Sequence, residues 1–126
     1  MGVIHRFTGN KDKFDWEEVD VQSYNSSEIK GVIKKVLVGP KEGAPYFVLR
    51  YFEIEPGGWT SLDEHSHDHG VFILKGEGKV LLGQKEYKVK FGDVVYVSPN
   101  EKHQFKNTGN SPFGFICVIP NKELVK

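Results

Sequence analysis

The sequence predicts an all-β domain built as an antiparallel sandwich or barrel. After residue 30, short segments rich in β-branched and aromatic residues recur at nearly regular spacing. Glycine, proline and asparagine separate these segments, which is typical of strands joined by tight turns. No stretch in this part of the sequence has the 3.6-residue period of an amphipathic helix.

Residues 1–30 are predicted to form an irregular N-terminal arm. Phe7, Phe14 and Trp16 are scattered among charged and hydroxyl side chains without a clear period, and a polar stretch at 24–28 ends the arm. We expect the aromatic side chains of the arm to pack on the main body.

The strands of the main body can be placed from their turns. A strand at 32–38 ends at Gly39-Pro40, and a longer one at 46–55 is closed by Pro56-Gly57-Gly58. Six shorter strands are predicted at 71–75, 79–82, 87–90, 93–97, 104–106 and 113–119. The expected organisation is therefore the arm, residues 1–30, followed by one barrel domain, residues 31–126.

Size and charge limit the class of partner. At 126 residues and 14.3 kDa the chain is long enough for one hydrophobic core but too short for two. It carries 17 basic and 17 acidic residues and a formal net charge of zero, so no basic field is present to hold a phosphate backbone. We expect a small-molecule ligand or substrate and no nucleic acid.

The apolar runs are short. The longest has five residues, at 115–119, and no leading apolar segment resembles a signal peptide. We expect no membrane partner and a cytoplasmic location. The single cysteine, Cys117, cannot form an internal disulfide and lies inside this run, so we expect it to be a small buried hydrophobic residue.

Three of the five histidines, His65, His67 and His69, stand at alternate positions between a Pro-Gly-Gly turn and an apolar strand. Side chains at alternate positions of an extended segment point to one side, where imidazoles could converge on one ion. A solvated His- and Asp-rich turn is the alternative. The apolar neighbourhood favours a site for a divalent transition metal, namely Fe, Mn, Ni, Cu or Zn.

A pre-organised metal site draws a ligand from a distant strand, and His103 is the candidate. It follows the turn 98–102 at the start of a predicted strand. Asn100 tolerates the left-handed conformation that a tight turn needs. Histidines on the inner face of a small barrel are costly to bury without a partner, and a bound metal would satisfy them.

Two stretches of the chain resemble the paired motifs of the cupins. The first motif is G, five residues, HxH, three or four residues, E, six residues, G, and residues 57–76 match this spacing. The second is G, five residues, PxG, two residues, H, three residues, N, and residues 92–107 match it. The resemblance spans about 46–119 and implies an antiparallel jelly-roll β-barrel preceded by the irregular arm.

The chain departs from the cupin pattern at several motif positions. Asp63 occupies the position of the first histidine and His69 that of the glutamate, while Ser98 and Asn100 replace proline and glycine in the second motif. Ungapped matching implies the ligand set Asp63, His65, His69 and His103. Using His65-Ser66-His67 as the HxH gives His65, His67, His69 and His103, which we favour because His67 shares the parity of its neighbours. Imidazole in place of a carboxylate shifts the preference from Mn toward Fe, Ni, Cu or Zn.

The resemblance implies chemistry on a small organic molecule inside the barrel. Cupins include dioxygenases, decarboxylases and sugar isomerases, and the alternative is a module that binds or senses a small ligand without turnover. The candidate pocket residues are Arg50, Tyr46, Tyr51, Phe72, Tyr96, Gln104 and Phe115. Gln104 and Tyr96 are favoured among them because they flank the His103 turn. Exposed edge strands and the aromatic arm further predict a homodimer.

Overall fold

The computed structural model describes residues 1–121 and confirms the all-β prediction. Within that range the chain forms nine strands and one short 3-10 turn, Pro40–Glu42. The strands are β1 Val21–Tyr24, β2 Lys30–Val38, β3 Phe47–Trp59, β4 His69–Lys75, β5 Glu77–Leu82, β6 Lys85–Lys90, β7 Val94–Val97, β8 His103–Lys106 and β9 Phe113–Pro120. Every strand predicted after residue 30 is present.

All pairings are antiparallel and belong to one curled sheet. Its main path runs β6-β5-β8-β3-β9-β4-β7, and β2 pairs with both β3 and β1. Residues 47–54 of β3 pair with β9, whereas Trp59 at its end pairs with Lys106 of β8. The strand β3 therefore belongs to both halves of the curled sheet, and the buried core contains side chains from both halves.

The predicted end of β3 at Pro56-Gly57-Gly58 is wrong, because the strand continues through these residues to Trp59. The register against β2 shifts between Lys30 and Val32, which marks an irregularity here. Gly57 has a φ of +81°, and a β-carbon on Gly58 would lie 2.4 Å from the Lys30 carbonyl oxygen. The glycines thus bend the strand toward β8 instead of ending it.

The arm packs on the outside of β3, as predicted. The Phe14 ring stacks on Tyr51 with centroids 5.6 Å apart, and Trp16 meets the same ring edge-on at 5.3 Å. Beneath them the Tyr51 side chain is 0% exposed. Lys35 Nζ donates to the Phe14 carbonyl and to Asp15 Oδ1, both at 3.0 Å. An aromatic cluster and a buried ammonium thus hold the arm in place.

The end of the arm is more regular than predicted, because Val21–Tyr24 form β1 and pair with β2. The first 20 residues contain no strand, only an isolated bridge between Phe7 and Trp16. The boundary at residue 30 stays a prediction, and the last five residues of the predicted 31–126 domain lie outside the described part. Within residues 1–121, no helix has the length and apolar character to cross a bilayer.

Candidate metal centre

Three of the four predicted histidines are brought together by the fold. His65 lies between β3 and β4, His69 begins β4 and His103 begins β8. One ring nitrogen from each lies within 4.8 Å of the other two. His69 and His103 are buried, at 8% and 6% exposure, while the His65 side chain is 37% exposed. The arrangement is a half-buried cluster of imidazoles that could hold a metal ion.

Backbone pairing sets the position of His103. It forms an antiparallel bridge with Asp63, in which Asp63 N–H donates to the His103 carbonyl at 3.0 Å and His103 N–H donates back at 2.9 Å. The His103 Nδ1 lies 2.9 Å from the Glu101 carbonyl and donates to it. This hydrogen bond places the proton on Nδ1 and leaves the Nε2 lone pair for a ligand.

His69 contains a buried atom that has no hydrogen bond to any residue in 1–121. Its Nδ1 lies 3.3 Å from Cys117 Sγ, but no hydrogen-bond partner for Nε2 exists among residues 1–121. The pKa of His69 is lowered to about 3, chiefly by burial, with the neighbouring His103 and Arg50 acting in the same direction. The ring is therefore neutral at physiological pH, the form in which imidazole binds metals. A metal would fit this donor set and would satisfy Nε2.

The other two predicted ligands lie beside the group. The His67 ring is stacked on His65 at 4.9 Å and lies 4.9 Å from His69, yet its nitrogens are not part of the convergent set. Asp63 Oδ2 accepts a hydrogen bond from Ser61 Oγ at 2.7 Å and lies 3.9 Å from His65 Nε2. The four-histidine ligand set stays a prediction.

A cavity of about 110 Å³ opens beside the histidines. Its wall combines aromatic rings with one guanidinium, one thiol and one carboxylate. The lining residues are Ile29, Arg50, Phe52, Thr60, Ser61, Asp63, His65, His69, His103, Phe105, Phe115 and Cys117. Such a cavity suits a small molecule in contact with the histidines.

Of the favoured pocket residues, neither Tyr96 nor Gln104 lines the cavity. Tyr96 is exposed and donates its hydroxyl to Asp68, and Gln104 Nε2 donates to the Thr60 carbonyl. Gln104 follows His103 in β8, and successive side chains of a strand point to opposite faces. Closeness in sequence to the His103 turn therefore does not place Tyr96 and Gln104 at the cavity, because the alternation of side chains along a strand directs both away from it.

Cys117 is buried, as expected, but it also belongs to the cavity wall. It is paired with Arg50 across β3 and β9, and Arg50 Nη2 donates to its sulfur at 3.1 Å. Burial raises the pKa of the Cys117 thiol, although Arg50 acts in the opposite direction. The contact with Arg50 depends on the β3–β9 register, which the sequence pattern does not reveal.

Comparison with known proteins agrees with this architecture. The family model for the cupin domain matches residues 50–119. The 1-methylthio-D-xylulose 5-phosphate methylsulfurylase of Rhodospirillum rubrum is 34% identical over 110 residues, which cover 85% of this chain and 69% of that protein. The oxalate-binding protein of Thermotoga maritima is 34% identical over 68 residues, 53% of this chain and 56% of that protein.

A solved structure shares most of the fold. The crystal structure of a cupin-2 domain from Rhodospirillum rubrum superposes with a TM-score of 0.80 at 33% sequence identity. The match covers 90% of this chain and 77% of that one. It confirms the antiparallel jelly-roll barrel. With the family model and the relatives above, it shows that the chain belongs to the cupin family.

Proposed function

We propose that this cupin binds one divalent transition metal through His65, His69 and His103 and acts on a small organic molecule in the adjoining cavity. The observation that carries the proposal is the convergence of one ring nitrogen from each of three histidines within 4.8 Å, together with the buried Nε2 of His69, which has no hydrogen-bond partner within residues 1–121. Imidazole donors suit Fe, Ni, Cu and Zn, whereas Mn is better served by carboxylates.

The protein would hold the histidines in position and would surround the substrate with a largely apolar cavity wall. The bound metal would supply Lewis acidity toward an oxygen atom of the substrate. His69 and His103 are held by strands β4 and β8, while Phe52, Phe105 and Phe115 line the cavity and limit the entry of water. A pre-formed pocket of this kind would orient a molecule with a few polar oxygens.

The names of the relatives support an enzymatic function. The Rhodospirillum rubrum relative that aligns with 85% of this chain is named as an enzyme, a methylsulfurylase of a ketose phosphate. Dioxygenase, decarboxylase and isomerase chemistry would all be compatible with the three imidazole donors. The identity of the metal would narrow these classes, because Fe or Cu would favour oxygenation.

The decisive experiment is elemental analysis of protein purified without a metal-affinity tag. We expect near-stoichiometric Fe, Mn, Ni, Cu or Zn in the wild type and loss of most of it in His103→Ala. His5→Ala is the matched control, because His5 lies outside the cluster and hydrogen-bonds Glu42 instead. Full metal occupancy in His103→Ala would contradict the proposed site.

A non-catalytic binding module is the second candidate. It is favoured by the small cavity and by the Thermotoga maritima relative, which is named for binding oxalate. A panel of small hydroxy acids, keto acids and sugar phosphates separates the two functions. Turnover of any member supports the enzyme, whereas ligand-dependent stabilisation without turnover supports the binding module.

We also propose a homodimer in the cytoplasm. Strand β7 lies at the end of the sheet order, and its neighbourhood carries exposed apolar side chains, namely Phe72, Val94, Tyr96 and Val118. Such a face supports association with a second copy. Sedimentation should give twice 14.3 kDa, and Val94→Lys should shift the protein toward the monomer. A wild-type mass of 14.3 kDa would contradict the dimer.

A further inference from the structure

Arg50 is a cation on the cavity wall with few partners of its own. It lies in β3, paired with Cys117 of β9, and its guanidinium carbon lies 4.9 Å from the centre of the Phe52 ring. The side chain makes one hydrogen bond within residues 1–121, from Nη2 to Cys117 Sγ at 3.1 Å. Its Nε is buried and has no hydrogen-bond partner there.

No carboxylate within residues 1–121 forms an ion pair with this guanidinium. None of the ion pairs found in residues 1–121 includes Arg50. The one acid on the cavity wall, Asp63, accepts a hydrogen bond from Ser61 and faces His65. Sulfur is a weak acceptor. Arg50 is half-buried and its Nε is inaccessible to water, so an anion that enters the cavity would compensate a charge that is partly removed from water.

A divalent metal ion on the histidine cluster would make the cavity more selective for anions. Cys117 Sγ lies between Arg50 and the histidine cluster, 3.1 Å from Arg50 Nη2 and 3.3 Å from His69 Nδ1. A divalent ion on the histidines would add two further positive charges close to the guanidinium. Because the field in a partly dry cavity is weakly screened, a neutral ligand would leave these charges uncompensated.

We propose that Arg50 binds the anionic group of the ligand and makes the cavity specific for small organic oxyanions, either carboxylates or phosphate esters. The proposal rests on the proposed function, because the oxyanion is the molecule that would occupy the cavity beside the metal. The planar guanidinium suits both groups, since its N–H donors match the spacing of two oxygens on one carbon or phosphorus. Neutral analogues of the same shape are rejected.

The test is calorimetric titration of the metal-loaded full chain with glycolate, its neutral amide glycolamide, and inorganic phosphate. The wild type should bind one or both anions and not glycolamide. Arg50→Met should weaken anion binding about 10–100-fold. The anion affinity of Arg50→Lys should lie between those of the wild type and Arg50→Met, because lysine keeps the charge without the planar donors. Arg6→Met, which removes the other arginine of the sequence, an exposed one, should bind anions like the wild type.

The readouts distinguish this proposal from the metal site. Metal content is measured on every sample, and the titrations are repeated on metal-free protein. If the wild type takes up no metal but still binds anions in a way that depends on Arg50, this inference is supported while the proposed metal function is contradicted. If Arg50→Met loses affinity for glycolate alone, the anionic group that Arg50 binds is a carboxylate. If it loses affinity for phosphate alone, the group is a phosphate ester.

Two results would overturn the proposal. One is unchanged anion affinity in Arg50→Met, and the other is a wild type that binds neither anion. Circular dichroism checks that each variant folds. If Arg50→Met does not fold, Arg50→Lys decides, because an affinity equal to that of the wild type would show that the planar donors are not used.

Discussion

Asp63 and His103 exchange both of their backbone hydrogen bonds, at 3.0 and 2.9 Å, across 40 residues of sequence. This bridge ties the segment that carries His65 to the first residue of β8. The side chain of Asp63 is engaged elsewhere, with Ser61 Oγ at 2.7 Å. Asp63 therefore supports the cluster through its backbone, although ungapped matching to the cupin motif aligns it with a histidine.

We expect Asp63→Ala to keep its metal, because alanine preserves the backbone bridge. Asp63→Pro should lose most of it, since proline has no N–H to donate to His103. Elemental analysis of both variants, with His103→Ala as the metal-free reference, checks this. A metal-free Asp63→Ala would instead make the carboxylate a ligand.

We expect His67→Ala to retain most of the bound metal and His69→Ala to lose it. The His67 nitrogens lie outside the convergent set, whereas His69 belongs to it and has a buried Nε2 without a hydrogen-bond partner in residues 1–121. Removing one metal ligand lowers occupancy sharply, but removing a stacked neighbour leaves the donors in place. Competition with a chromophoric chelator measures both affinities. Equal losses in the two variants would support the four-histidine set.

The sequence was sufficient to predict the strands after residue 30 and to single out His65 and His69 as neighbours, because both depend on local signals. Alternation and turn residues place β4 to β9, and the His65-x-His67-x-His69 spacing marks the site. The contact between Arg50 and Cys117 could not be predicted, since it depends on the register of two strands 67 residues apart.

The bend in β3 was missed for a related reason. A Pro-Gly-Gly sequence usually ends a strand, but here Gly58 lets the strand pass close to the Lys30 carbonyl and continue to β8. The close approach is a tertiary contact, and nothing in the local sequence distinguishes it from a turn. The same limit applies to Val21–Tyr24, which becomes a strand because β2 offers a pairing edge.

We expect Gly58→Ala to destabilise the fold by about 1–3 kcal/mol, since the new methyl group would overlap the Lys30 carbonyl oxygen and the backbone must shift. Gly70→Ala is the matched control, because a β-carbon there has no heavy atom within 4 Å. Urea unfolding of both variants measures the difference. Equal stability would show that the bend accommodates a side chain.

Acid should release the arm from the barrel. The hydrogen bond from buried Lys35 lowers the pKa of Asp15 below its usual value of 3.8, with the backbone N–H of Trp16 as a further cause. Because the folded pKa is the lower one, the unfolded chain takes up this proton first as pH falls. The stabilisation is therefore complete well above pH 4 and is lost as pH falls through the folded pKa of Asp15.

Trp16 reports this release, since its ring contacts Tyr51 while the arm is docked. In a Trp59→Phe background, emission should shift to the red as pH falls below about 4, near the usual carboxyl pKa. Asp15→Asn removes the charge and should show weakened docking already at neutral pH. Asp20→Asn, a change at an exposed arm position, should behave like the parent. Identical acid titrations for Asp15→Asn and the parent would mean that the aromatic cluster alone holds the arm.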